Sequence, residues 1–541
     1  MIDLLKFQKP QRYIGNELNV IKKSHSKKIS FCLCYPDLYE IGMDNLGLRI
    51  IYGILNSYSD LVCERAFLPG PDLLDYLKKE EKPLFSLETK TPLSDFDLVG
   101  FNFGYELNYL NFLEMLTTAK IPLKSSARKD TIVIGGAVAN PQPLATFVDL
   151  FCLGEFEAVA KKLIQILRKY KNKFDRLKTL SQVEGIYVPA FYTSSFQENS
   201  YQMIKKYPKA NLPIKRVKVK NLDNNFFPTK WITPHTKLIQ DRVAVEIARG
   251  CPNNCNFCQA KSIYHPYREK KVKTIVNTIK AVYKNTGYES FSLLCLSASN
   301  YSKIDKLITA LIPFAEKNKI TINFPSLRIG KKIEPIYKKM LAIQKTALTV
   351  AIEAGSKSLR KKLNKNIDLD KLFELARPLS NLGLRTIKVY FMYGFSDEKR
   401  EDLLAIGDLI KDLLKRTSLK INVSINLFIP KPSSTWEKMP LCQMRQAELK
   451  KKIILDNIPR TKRIKLSSAQ IEKNLIEAII SRGNIELGST LLKINKLRKE
   501  LQEKDQLFSW PVWKEALEKT NVDWQKYIKS ETKNFPWSFI E

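Results

Sequence analysis

Three cysteines, Cys251, Cys255 and Cys258, stand in a CxxxCxxC spacing within Arg-Gly-Cys-Pro-Asn-Asn-Cys-Asn-Phe-Cys-Gln-Ala, residues 249–260. The preceding run, Val243-Ala-Val-Glu-Ile-Ala248, is β-rich and reads as a strand that ends at Gly250. The thiols therefore lie on the loop leaving a strand, at the carboxyl end where α/β folds place their chemistry. Two metals suit such a loop. Zinc wants four protein ligands, and His265 is in principle available as the fourth. An iron–sulfur cube takes four cysteines, so three leave one iron without a protein ligand. That open iron is a handicap for electron transfer and an advantage if the iron must bind a substrate.

The chain around this loop has room for about three domains in its 541 residues. No run approaches the ~20 apolar residues of a membrane span. The first ten residues lack the apolar stretch of a signal peptide. Nine cysteines in so long a chain are no disulfide framework, and a reducing cytoplasm is the expected compartment. Lys and Arg outnumber Asp and Glu by 90 to 55, a net charge of +35. That excess suits a polyanionic partner such as RNA, held through its phosphates. It equally suits a lysine-rich composition spread over every surface, and the lysines are spread over 22–28, 161–173, 205–220, 270–284 and 447–465.

Before the cysteines, strand-like runs at 28–35, 98–103, 131–136 and 149–154 alternate with helical periodicity at 39–56, 107–119 and 155–170. This pitch predicts a Rossmann-like, doubly wound parallel sheet over residues 1–170. Residues 171–240, punctuated by prolines, read as a connector between lobes. After the cysteines, strands are expected at 290–297, 320–328, 346–353, 385–394 and 419–429, with helices between them. Counting the strand before Cys251, six strand–helix repeats over 241–440 make a partial, TIM-like (βα)6 barrel with its ligands at the strand carboxyl ends. Residues 441–541 read as a small α-helical C-terminal domain. Its tryptophans, Trp510, Trp513, Trp524 and Trp537, suit its core better than base stacking.

The cysteine spacing, with the aromatic Phe257 before the last cysteine, resembles the signature of the radical S-adenosylmethionine (SAM) superfamily. The resemblance implies a [4Fe-4S] cluster on Cys251, Cys255 and Cys258 whose open iron chelates SAM. It also implies reductive cleavage of SAM to a 5′-deoxyadenosyl radical, and an electron donor such as flavodoxin or ferredoxin. It places Ser297 and Ser299 where the superfamily contacts the methionyl amino group, and Glu353 where a carboxylate accepts from the ribose hydroxyls. Arg328 stands ready either to neutralise the methionyl carboxylate or to make a structural ion pair. Met392 falls either near the adenine or in the core. Glu353-Ala-Gly-Ser356 with Asn364-Lys365, and Phe428-Ile-Pro-Lys-Pro432 with Thr435-Trp436, are similar to segments of methylthiotransferase-type members.

The N-terminal pattern resembles the cobalamin-binding-like domain that precedes many such cores. In Asp37-Leu-Tyr-Glu-Ile-Gly42, however, Tyr39 stands where that family carries its cobalt-ligating histidine. A cobalamin here would be bound without that axial ligand. Over nearly its full length the chain resembles a family of radical SAM proteins whose substrate is unassigned. Methyl or sulfur-group transfer to RNA or another substrate is the expected reaction. The alternatives are a small-molecule or tetrapyrrole substrate, and a non-catalytic, zinc-stabilised RNA-binding protein.

Overall fold

The run Ile-Ser-Phe-Cys-Leu-Cys-Tyr is apolar almost throughout, which suits a strand covered on both faces. In the computed structural model, which describes residues 2–323, 348–381, 383–498, 500, 504–529 and 531–541, it is the first strand of a six-stranded sheet. The strands are β1 (Ile29–Tyr35), β2 (Leu61–Phe67), β3 (Leu98–Asn102), β4 (Ile132–Gly136), β5 (Leu150–Cys152) and β6 (Ile186–Tyr187). Their order is β2-β1-β3-β4-β5-β6, parallel except for the last pair. This is the doubly wound arrangement expected, with its switch point between β1 and β3.

The sequence pattern missed β2. Glu64 and Arg65 interrupt its apolar run, yet all seven of its residues are buried. Their charges are answered from afar. Arg65 donates to Glu17 Oε2 at 2.9 Å and Glu88 Oε1 at 2.6 Å, and Glu64 accepts from Ser86 Oγ at 2.5 Å and Thr89 Oγ1 at 2.8 Å. The helix expected over 39–56 is broken into Tyr39–Gly42 and Leu46–Asn56, because the Asn45 side chain accepts from Leu48 N at 2.9 Å and caps a new start.

Residues 171–240, expected as a connector, instead carry the helix Lys173–Leu180, β6 and an antiparallel hairpin of β7 (Tyr192–Gln197) and β8 (Ser200–Lys205). They belong to the first of two compact units, Met1–Asp241 with Ile479–Tyr527 and Glu531–Glu541. The second unit is Arg242–Ala478 with Ile528–Ser530, so residues 441–541 are divided between the two units. Trp513 and Trp537 are buried, as a core role requires.

In the second unit, β9 (Val243–Glu246) is followed by the short pair β10 (Ala248–Arg249) and β11 (Arg268–Glu269), then by β12 (Ser290–Leu294) and β13 (Thr321–Asn323). β14 (Leu348–Glu353), β15 (Thr386–Tyr393), β16 (Lys420–Leu427) and β17 (Ile464–Ser468) complete it. Two parallel sheets result, ordered β13-β12-β9 and β14-β15-β16-β17. The six expected strands are joined by β17, which runs parallel to β16 after the helix Met444–Asn457. Its middle residues are exposed, so it carries no alternation for a sequence to display. Residues 324–347, including the rest of the expected strand at 320–328, lie outside the described residues. No helix among the described residues is long and apolar enough to cross a membrane.

Arg65→Ala leaves Glu17 and Glu88 buried without their counter-charge. It is expected to cost about 3–5 kcal/mol of stability, read as a lower urea midpoint of the full chain.

Candidate active site at the cysteine loop

The chain turns out of the barrel sheet at Gly250, whose φ is +85°. A Cβ there would sit 2.6 Å from Tyr264 O and 2.9 Å from Pro266 O, so only glycine admits the returning strand. β10 and β11 pair antiparallel across this crossing and close the loop that holds the cysteines.

The loop is clamped by backbone and amide hydrogen bonds. Asn256 N donates to Leu363 O at 3.1 Å, and Asn256 Nδ2 to Lys362 O at 2.8 Å. In return, Asn364 Nδ2 donates to Asn254 O at 2.8 Å and Trp436 N to Asn256 O at 3.0 Å. Phe257 packs against an apolar cluster of Ala354, Leu359, Leu363, Phe395 and Phe428, and Met392 packs against the same cluster. The two apolar residues picked from the sequence thus share one cluster.

On the other side, Asn253 Nδ2 donates to Cys251 Sγ at 3.3 Å and to Asn300 Oδ1 at 3.1 Å. The same Asn300 oxygen accepts from Ser297 Oγ at 2.6 Å. Ser297 is therefore brought to the loop through an asparagine rather than directly, and Ser299 lies on the same single turn, Ala298–Asn300. Burial pushes the Cys258 thiol up, while the N–H groups of Ala260 and Lys261 and the charge of Lys365 act in the opposite direction. Cys295, buried at the exit of β12, is pushed up to about 12 by burial and is a neutral thiol at pH 7.

Glu353 ends β14 in a left-handed conformation, φ +73°, just past a β-bulge at Ala351/Glu353. A bulge of this kind re-aims a side chain, and a non-glycine residue at positive φ persists only where its surroundings hold it. Arg360 Nη1 does so by bonding the carbonyls of Ala354 at 3.0 Å and Gly355 at 2.5 Å, and Ser356 Oγ bonds Asp402. Burial pushes the Glu353 carboxyl up, offset by Lys365 Nζ at 3.3 Å. Lys365 thus acts on both Glu353 and Cys258. Arg328 lies outside the described residues. Asn253, Asn300 and Lys365 were not singled out from the sequence, although Asn364-Lys365 belonged to a recognised segment.

The donor set is chemically apt for a cluster. Three soft thiols lie within one hydrogen-bonded loop. Among the described residues, no three His, Cys, Asp or Glu side chains are grouped closely enough to hold a single ion. His265, offered by the sequence as a fourth zinc ligand, is exposed. A tetrahedral zinc would need its sulfurs only about 3.8 Å apart, whereas a cube presents separate corners.

In the first unit, Tyr39 is buried, its hydroxyl donates to Glu17 Oε1 at 2.9 Å, and its ring packs edge-on against Phe67. A Cβ on Gly42 would meet the Phe67 ring at 2.4 Å, and one on Gly135 the Phe151 ring at 2.6 Å. Tyr39, which stands where the resemblance expects a cobalt-ligating histidine, is thus held by the chain's own Glu17 and Phe67.

The sequence pattern of radical SAM proteins' N-terminal region matches residues 47–189, and that of the radical SAM superfamily matches residues 245–410. The chain belongs to the radical SAM superfamily. It is an enzyme of that class, whose members use a [4Fe-4S] cluster and SAM. It is 25% identical over 465 residues, 85% of this chain and 90% of the other, to uncharacterized protein MJ0966 of Methanocaldococcus jannaschii. A putative methylthiotransferase of the same organism, MJ0865, is 24% identical over 179 residues, 31% of this chain and 39% of the other. Among solved structures, the cobalamin-dependent SAM radical enzyme OxsB, with aqua-cobalamin and SAM bound, matches with a TM-score of 0.50 at 12% identity. The match covers 92% of this chain and 71% of the other, a likeness of fold alone.

Lys365→Met removes the cation paired with the buried Glu353. At low pH Glu353 is protonated in both the folded and the unfolded state, so the loss costs little there. As pH rises from the ordinary carboxylate range through the raised folded pKa, the unfolded state gives up its proton first, and stability falls. The variant is expected to be weaker than the parent by about 2 kcal/mol at pH 8 and by much less at pH 4, measured by urea titration at both.

Proposed function

We propose that this enzyme holds a [4Fe-4S] cluster on Cys251, Cys255 and Cys258 and uses it to activate SAM for methyl or sulfur-group transfer to a substrate in the barrel. The observation that carries the reading is the cysteine loop itself, clamped to the turn at 362–364, with Lys365 acting on both Cys258 and Glu353. When bound, the cluster supplies the electron that cleaves SAM to the 5′-deoxyadenosyl radical.

The chain's own residues do the rest. Asn253 directs an N–H at the Cys251 sulfur, and the Ala260 and Lys261 amides direct theirs at Cys258, where they oppose the upward push of burial. Glu353, aimed by its bulge, accepts from the ribose hydroxyls of SAM. Lys365 favours the ionised form of that carboxylate against the upward push of burial. The Ser297–Asn300 pair faces the methionyl amino group, and Phe257 with Met392 closes the apolar floor against water. An electron donor of the flavodoxin or ferredoxin kind completes the system.

The transfer chemistry is supported by similarity to the putative methylthiotransferase. An RNA substrate is supported by the net charge of +35 alone. A zinc-stabilised, non-catalytic role is disfavoured by the exposure of His265, its fourth ligand.

Anaerobic reconstitution is expected to give a brown protein with about four iron and four sulfide per chain that releases 5′-deoxyadenosine from SAM when dithionite is added. Alanine at any one of Cys251, Cys255 or Cys258 is expected to abolish both. A colourless protein carrying zinc, or a brown one inert towards SAM, would sink the reading.

A further inference from the structure

In a closed barrel the inward face is filled by layers of apolar side chains. The inner face of β14–β17 departs from this. The buried alternates Ile387, Val389, Ile421 and Val423 occupy the opposite face, and the helix Met444–Asn457 packs against β15. The other face is polar and open to water. Strand register sets Lys388, Asn422 and Lys465 side by side in one row, and Tyr390, Ser424 and Ser467 in the next. A third row holds Met392 beside Asn426. Tyr390, in the middle of its strand, is 38% exposed.

The charge of this face is one-sided. Among the described residues of β15–β17 this face carries lysines and no carboxylate. The carboxylates at the strand exits are already occupied, Glu246 by Arg249 at 2.8 Å and Glu353 by Lys365 at 3.3 Å. Among the described residues, the side chains of Lys388, Asn422 and Lys465 have no hydrogen-bond or ion-pair partner. Neighbouring strands lie about 4.8 Å apart, so two ammonium groups flank one free amide across about 10 Å. Met392, against the cluster that supports the cysteine loop, is four residues along the strand from Lys388, about 13 Å.

We propose that the row Lys388–Asn422–Lys465 binds the anionic end, a carboxylate or a phosphate, of a small substrate lying along β15 and β16 with its other end at the cysteine loop. The inference rests on the function proposed above. Two cations and an amide that gain charge-assisted bonds only when the anion arrives give both affinity and polarity of entry. Asn426 and Ser424 then serve the polar body of the substrate. The reacting position is set by distance from the charged end.

The test uses the anaerobically reconstituted full chain with citrate and pyrophosphate as probes, by isothermal titration. It compares the parent, Lys388→Gln/Lys465→Gln, and a control, Lys79→Gln/Lys161→Gln, that removes the same charge from the first unit. The parent and the control are expected to bind at least one probe saturably, and the Lys388/Lys465 variant about ten-fold or more weakly. Its dithionite-driven cleavage of SAM should stay at the parent level. Preference for citrate or pyrophosphate tells whether the end recognised is carboxylate or phosphate. Equal binding by all three proteins, or no saturable binding of either probe by the parent, overturns the proposal. Loss of SAM cleavage in the parent itself would instead strike at the proposed function and leave the anion measurement standing.

Discussion

The hydrogen-bond clamp on the cysteine loop is the constraint from which the chemistry of the second unit follows. A loop with three thiols has every reason to wander, because cysteine brings little packing and no strong hydrogen bond of its own. Here Asn254 and Asn256 are bonded to the turn at 362–364, and the Trp436 amide closes on Asn256 from a third direction. The sulfurs are therefore presented by a backbone whose polar groups are satisfied, with Phe257 anchored in an apolar floor. Asn300 ties the exit of β12 to the same loop through Asn253, and Lys365 ties in the exit of β14. Three strand exits are coordinated by side chains of ordinary chemistry.

The charges of the molecule divide into two kinds. Some are buried and fully answered, as in the Glu17–Arg65–Glu88 group of the first unit. Such groups contribute little net stability and much specificity of arrangement, since removing one partner leaves a bare buried charge. Others are cations with no ion-pair partner among the described residues, as on the inner face of β15–β17. A net charge of +35 looks alike in both cases when read as composition. Only placement separates a lysine that serves structure from one that waits for a ligand.

The alternation of strands and helices was legible because both periods are local. β1, β3, β4 and β5, and the six expected barrel strands, appear as apolar runs or alternations ended by glycine or a turn. β2 was hidden because Glu64 and Arg65 take their partners from segments on either side, and a run of residues does not reveal them. β17 was hidden because its centre faces water. At the site, Phe257, Met392, Ser297 and Glu353 were singled out through the family resemblance. The pair bond Asn253–Asn300 spans 47 residues and Asn364–Asn254 spans 110, so neither could be seen in any local window.

The amino-acid sequence by itself determined the spacing of the three cysteines, the glycine at 250 that lets the loop cross its own return, and most of the alternation of strands and helices. All of these depend on neighbours within a few residues. Tertiary structure decided that Lys365 stands beside Glu353 and that Glu353 is turned by a bulge. It also decided that Tyr39 is bound to Glu17, and that two lysines and an asparagine from three strands share one row. Those outcomes depend on strand register and on which loops leave the same edge of a sheet, and both arise from long-range packing that no local pattern encodes.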